Sequence, residues 1–100
     1  MRMMMKVQIP TEAGNNAIKD GRLPQIIGAA LEALKAEAAY FTAEDGMRTG
    51  LIFFEMADSS DIPPAAEPFF MGLDAQITLA PVMNVEEMRA GVGKAVAAAG

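Results

Sequence analysis

The chain has 100 residues and contains no histidine, no cysteine and no tryptophan. Histidine is the commonest general base near neutral pH, and cysteine supplies the thiol nucleophile. Together these two residue types also provide most of the ligands that bind transition metals in proteins. We therefore expect no metal ion. A chain of this length also has no room for a separate cofactor domain, and we expect no cofactor. The absence of cysteine excludes disulfides but does not indicate a redox compartment.

Positive charge is also scarce, with 8 Lys and Arg residues against 13 Asp and Glu residues and a net charge of −5. The basic residues form no cluster, so nucleic acids and anionic lipid surfaces are poor partners. No apolar run approaches the length of a transmembrane helix, and the start of the chain has no apolar segment of secretory length. We expect a cytoplasmic protein that binds neither nucleic acid nor membrane.

The apolar content is high for so short a chain, because 52% of the residues are hydrophobic and only 21% are charged. This length corresponds to one domain, residues 1–100, with a core that is sufficient but small. We expect part of the apolar surface to remain outside the core of a single copy.

Hydrophobic periodicity in the first third of the chain predicts a strand followed by a broken helix. Residues 3–9 alternate between apolar and mixed positions, which is typical of a half-buried strand. A helix is expected from Gly14, with an interruption at Asp20-Gly21 and a second start near Pro24, a residue that suits the first turn of a helix.

Asp45-Gly46 is the strongest local signal, since both central residues of a type I′ hairpin turn need positive φ. It separates two predicted strands, at residues 38–42 and 48–56. A two-residue loop at this dipeptide sets the pairs of facing residues: Thr42 with Thr49, Tyr40 with Leu51, and Ala38 with Phe53.

The last part of the chain predicts a helix, a strand and a terminal helix. Residues 58–61 offer helix caps, and we expect the helix after them to be short because Pro68 interrupts its hydrogen bonds. Residues 75–82 are expected to form the last strand. Asn84 and Glu87 have the spacing of a capping box at the start of the terminal helix.

The predicted order is that of a ferredoxin-like βαββαβ fold in the α+β class, with an extra C-terminal helix. In this fold both helical connections pack on one face of a four-stranded antiparallel sheet and leave the other face uncovered. That outer face mixes apolar and polar side chains, and a second copy related by a two-fold axis is the simplest cover for it. We predict a homodimer interface that includes Met4, Tyr40, Leu51 and Phe53.

Several short segments along nearly the whole chain carry a family resemblance: residues 17–21, Leu23-Pro24, residues 37–42, Asp45-Gly46, Arg48-Thr49, Ile62-Pro63, residues 66–68 and residues 81–83. In these segments the chain resembles a family of small uncharacterised bacterial proteins in the dimeric α+β barrel superfamily. The resemblance implies two ferredoxin-like sheets packed face to face, but no activity. Enzymes of that superfamily, such as cofactor-independent monooxygenases and muconolactone isomerases, hold substrate between sheet and helices. The chain has no residue-by-residue match to their motifs.

The candidate ligand-binding residues are Lys6, Tyr40 and Glu55 on the predicted outer face, with Arg48 at the mouth of the hairpin. Glu55 among apolar neighbours could act as a base, with Tyr40 or Lys6 stabilising an oxyanion. The interpretation we favour is structural: Lys6 and Glu55 form an ion pair across a dimer interface, and Tyr40 donates a hydrogen bond at its rim. We assign no catalytic residues.

No metal ligands are assigned either. The methionines of the first strand alternate and cannot converge on one ion, and Asp58 and Asp61 suit helix capping better than calcium binding. Two functions remain open from the sequence. The first is a homodimeric protein that binds a small apolar ligand without catalysis, and the alternative is a cofactor-independent enzyme of isomerase or monooxygenase type acting on a small organic substrate.

Overall fold

A four-stranded antiparallel sheet lies in the middle of the computed structural model, which describes residues 1–100. Its strands are β1 (Arg2–Ile9), β2 (Ala38–Glu44), β3 (Met47–Glu55) and β4 (Gln76–Pro81), in the order β2-β3-β1-β4. The helices are α1 (Thr11–Lys19), α2 (Arg22–Leu34), α3 (Ile62–Leu73), which follows a short 3₁₀ turn at Ser59–Asp61, and α4 (Val85–Ala99). The predicted α+β class is therefore confirmed.

Each helical connection joins two strands that are separated by one other strand. β3 lies between β1 and β2, which α1 and α2 connect, and β1 lies between β3 and β4, which α3 connects. All three neighbouring pairs are antiparallel, so the two strands of each connection run parallel to each other. This arrangement is compatible with a ferredoxin-like fold.

The predicted hairpin register is confirmed. Thr42 faces Thr49, Tyr40 faces Leu51 and Ala38 faces Phe53. The turn residues Asp45 and Gly46 have φ angles of 55° and 74°, the left-handed conformation that a two-residue hairpin loop requires. The turn sequence thus decides which side chains of β2 and β3 share a face of the sheet.

Helix α1 begins at Thr11 rather than at Gly14 as expected. Pro10 occupies the N-cap position with φ −55°, and its carbonyl oxygen accepts a hydrogen bond of 2.9 Å from the amide of Gly14. The proline ring holds φ near this value, so the chain enters the helix directly from the strand. The predicted break at Asp20-Gly21 is confirmed, and Gly21 has a φ of 79°.

The prediction that the second helix is short because of Pro68 is wrong, since α3 runs for 12 residues with Pro68 inside it. The proline removes one backbone hydrogen bond, to the carbonyl of Pro64, and both prolines lie on the exposed side, where water can bind that carbonyl. On the other side Phe69 and Leu73 are each only 1% exposed. Burial of these large side chains holds the helix together across the missing bond.

The hydrophobic core lies between one face of the sheet, the inner face, and helices α1 to α3. Its largest fully buried side chains come from both layers: Met5, Val7, Ile52, Phe54, Phe69 and Leu73. The other face, the outer face, carries alternate residues of the same strands and has none of these three helices over it. Met4, Leu51 and Phe53 are half-buried there by their neighbours, and Tyr40 is 66% exposed.

Helix α4 starts with the predicted capping box, in which Asn84 and Glu87 each accept a hydrogen bond from the other's backbone amide. Every residue of α4 except Gly91 is exposed, so no other part of the chain covers this helix. The chain therefore extends 58 Å along its longest axis against 27 Å and 19 Å along the others. None of the helices has the combination of length and apolar composition that a membrane span needs.

Candidate functional site

The candidate site is a cavity of about 230 Å³ between the inner face of the sheet and the helices. Side chains from the sheet and from α2 and α3 line it: Val7, Ile9, Ile52, Leu23, Ile27 and Phe69. The cavity also meets the strand backbone at Thr42 and Thr49, whose positions in the register put their side chains on the outer face. Its wall is therefore almost entirely apolar.

Gly50 and Phe41 form the side of the cavity that lies toward the β2 edge of the sheet. They face each other across β2 and β3, and a Cβ atom on Gly50 would lie 3.0 Å from the Phe41 ring. The missing side chain lets the ring lie close over the backbone of β3. Phe41 is nevertheless 56% exposed, because the helices do not extend over this edge. The cavity is thus open beside Phe41.

Arg48 is the only charged side chain that lines the cavity. It pairs with Ile9 in the sheet and so projects from the inner face toward α1. Its Nη2 atom donates a hydrogen bond of 3.0 Å to Oδ1 of Asn15. Its Nη1 atom lies close over Gly14: a Cβ atom at that residue would be only 2.6 Å from Nη1, too close for a side chain to fit. No carboxylate lies within 4.0 Å of its nitrogens, whereas Arg2, Lys6 and Arg22 each have at least one. The side-chain amide of Asn15 therefore orients the guanidinium, and no carboxylate of the chain neutralises its charge.

The structure does not bring the four sequence-predicted ligand-binding residues together. Lys6, Tyr40 and Glu55 lie on the outer face as expected, but Arg48 lies on the opposite face of the sheet. Within the chain the Lys6 ammonium pairs with Glu44 at 2.9 Å rather than with Glu55. The Glu55 carboxylate pairs instead with the N-terminal ammonium group at 2.7 Å.

Neither Glu55 nor Tyr40 lines the cavity, and both are exposed in the single chain. A general base has to reach its substrate within hydrogen-bonding distance, usually in a site from which water is excluded. Glu55 borders a different pocket, of about 210 Å³ between the sheet and α3, which Tyr40 does not line. No pocket of the single chain therefore brings together the two residues named for the catalytic hypothesis.

The sequence identified Arg48 but not the cavity that it borders. Leu23, Ile27 and Phe69 follow the apolar periodicity of their helices and read as ordinary core positions. The signal that could have located the cavity is Gly50, a glycine inside a predicted strand at an inner-face position. Such a glycine often marks a place where another group approaches the backbone closely.

No group of three or more carboxylates is gathered closely enough to hold a metal ion. Comparison with protein-family models finds no match, and no curated protein matches the chain at a significant level. Membership of the bacterial family and of the dimeric superfamily therefore stays a prediction from the residues.

Gly14→Ala tests the placement of Arg48. The new Cβ would displace the guanidinium from Asn15, while the gain in helix propensity, at most about 1 kcal/mol, is offset by contact with Ile9. We expect a shifted NMR resonance for the Arg48 Nε–H group and little change in the free energy of unfolding. Gly28→Ala, which meets nothing within 4 Å, is the control that should stabilise α2 without moving Arg48. An unchanged Arg48 resonance in the Gly14 variant would contradict the placement.

Proposed function

We propose that this protein binds a small, mainly apolar organic molecule in the cavity between the sheet and the helices, and that it does so as a homodimer of ferredoxin-like subunits. The observation that supports the ligand is the cavity itself, with its apolar wall and one unpaired cation at its border. A largely apolar pocket with a few placed polar groups is the usual form of a small-molecule site.

The size of the cavity limits the ligand. An apolar protein cavity of about 150 Å³ can hold a benzene molecule, and pockets for drug-sized molecules begin near about 300 Å³. At about 230 Å³ this cavity suits a single ring with a small substituent, or an aliphatic molecule of similar volume. Burial of its apolar body would supply most of the binding free energy.

Arg48 favours a ligand that carries one oxygen-bearing group at its end. A guanidinium donates paired hydrogen bonds to a carboxylate, and more weakly to a carbonyl. Because the Arg48 side chain is held by Asn15 and has no carboxylate neighbour, this acceptor would not have to displace an existing ion pair. The expected ligand is therefore apolar at one end and polar or anionic at the other.

The uncovered outer face supports the homodimer. Ala38, Phe53, Met4 and Ala80 lie side by side across all four strands and form one apolar row. The neighbouring row contains Tyr40, Leu51, Lys6 and Thr78. A two-fold axis would let these rows cover each other in two identical copies. The dimer is proposed to lie in the cytoplasm.

The alternative function, a cofactor-independent isomerase or monooxygenase that uses Glu55 and Tyr40, gains no support from the cavity, because neither side chain borders it. It stays an untested prediction and is secondary to ligand binding.

Cavity filling tests the ligand proposal. Toluene and benzoate serve as probes, and binding is followed by NMR shifts of the Val7 and Ile27 methyl groups. We expect saturable shifts for the unaltered chain and a loss of about tenfold or more in affinity for Leu23→Trp, whose indole would occupy the cavity. Ile18→Trp adds the same side chain at an exposed position of α1 and should bind both probes normally. Absence of methyl shifts with both probes would refute the proposed ligand site.

A substitution on the outer face tests the dimer. Phe53→Asp would put a carboxylate in the centre of the proposed interface, and we expect a folded monomer in sedimentation velocity. Met71→Asp makes a comparable change at an exposed position of α3 and should leave the dimer intact. Tyr40→Asp, at a more exposed position of the same face, repeats the test if the first variant does not fold. Normal dimers of both outer-face variants would contradict the proposed interface.

A further inference from the structure

Helix α4 has an apolar side that no other part of the chain covers. Val85, Met88, Val92 and Val96 recur at intervals of three and four residues and so lie along one side of the helix. Each of these side chains is between 43% and 67% exposed. Glu87 and Lys94 lie on the opposite side. The helix is thus amphipathic but presents its apolar side to solvent in a single copy.

Such a helix is not expected to be stable alone. It has 15 residues, close to the length at which even alanine-rich helices are marginal in water. Gly91 and Gly93 lower its stability further, because glycine is one of the poorest residues in a helix interior. Most helices in proteins are stabilised by packing of their apolar side. The apolar side of α4 therefore needs a partner surface.

The direction in which α4 leaves the sheet is held by local contacts. The Val82 amide donates a hydrogen bond of 3.1 Å to the Arg2 carbonyl, and the capping-box bonds between Asn84 and Glu87 measure 2.8 Å and 3.0 Å. The Arg2 guanidinium also lies 3.9 Å from Glu87 and 2.5 Å from Glu37. Arg2 is a permanent cation at the start of the helix, and its hydrogen bond to Glu37 raises its pKa further.

These contacts join α4 to the outer face of the sheet. Arg2 faces Glu55, and two residues further along each strand Met4 faces Phe53 in the proposed dimer interface. The first turn of α4 therefore begins at the margin of that interface. A second copy that covers the outer face would have α4 projecting alongside it.

The surface area that the single chain exposes is larger than expected, by about the area that a protein interface covers. A compact monomer of 10.6 kDa exposes about 5,500 Å². This chain exposes 6478 Å², an excess of about 1,000 Å² over that expectation. A stable interface of standard size buries about 800 Å² on each partner. The radius of gyration, 16.1 Å against about 13 Å for a compact chain of this length, reflects the same extended shape.

We propose that α4 is an exchanged arm that packs its apolar side on a second copy of this chain, beside the interface of the two outer faces. The inference rests on the proposed homodimer and adds a second contact to it. A two-fold axis makes the exchange reciprocal, so each copy gives one arm and receives one. No other kind of chain is then needed to cover either surface.

Intermolecular NMR broadening tests the exchange directly, and the lack of native cysteine makes single labelling possible. A nitroxide is attached to Lys94→Cys, on the polar side of α4, in a chain without ¹⁵N. This chain is refolded together with a ¹⁵N-labelled chain that carries no nitroxide. We expect broadened amides in the ¹⁵N chain at and beside the outer face, near Met4 and Phe53. Broadening that occurs only when both labels are on the same chain would overturn the exchange.

A matched pair of substitutions shows whether the apolar side of α4 makes the contact. Val92→Lys changes that side, and Ala97→Lys adds the same charge on the other side. Lysine is a better helix former than valine and a slightly poorer one than alanine, so a weaker dimer for Val92→Lys alone cannot come from a less stable helix. We expect the dimer dissociation constant to rise about tenfold or more for Val92→Lys and to change little for Ala97→Lys. Equal effects of the two variants would refute the proposed contact.

The proposed dimer and the proposed exchange fail in different ways. A monomeric unaltered chain in sedimentation velocity at NMR concentration would refute both. A dimer whose dissociation constant is insensitive to Val92→Lys would leave the outer-face dimer standing and refute the exchange alone, whether or not broadening between chains is seen, because α4 lies near the second copy in either case.

Discussion

A β-sheet has two faces, and in this chain the helices α1 to α3 pack on only one of them. The inner face with these helices supplies the whole buried core, including Met5, Ile52 and Phe54. On the outer face the apolar row that contains Met4 and Phe53 is shielded only by its own neighbours in the sheet. Helix α4 adds a second apolar surface instead of covering the first. Both surfaces follow from a chain that is 52% hydrophobic but short.

The cavity has a related origin, because the helices also cover the inner face incompletely. The helices do not reach the β2 edge of the sheet. There the Phe41 ring packs on Gly50, and the cavity lies between this ring, Ile27 and Val7. Arg48 occupies the polar border of that space and is positioned by α1 through Asn15. The same layer of helices that builds the core thus leaves room for a small molecule.

Features decided by neighbouring residues were predictable, and features decided by distant contacts were not. The Asp45-Gly46 turn set the register of the hairpin, and Asn84 with Glu87 set the start of α4. The length of α3 was not predictable from Pro68, because burial of Phe69 and Leu73 outweighs one missing hydrogen bond. The hairpin register also put Lys6, Tyr40 and Glu55 on one face, but only the packing of α1 shows what Arg48 contacts.

The most direct test of the central claim, that a second copy covers the outer face, is sedimentation equilibrium of the unaltered chain over a range of concentrations. If a second copy covers the apolar rows of the outer face and the apolar side of α4, the measured mass at micromolar concentration should be twice the 10.6 kDa of one chain. A mass of one chain at every concentration, with the protein folded and soluble, would contradict the claim.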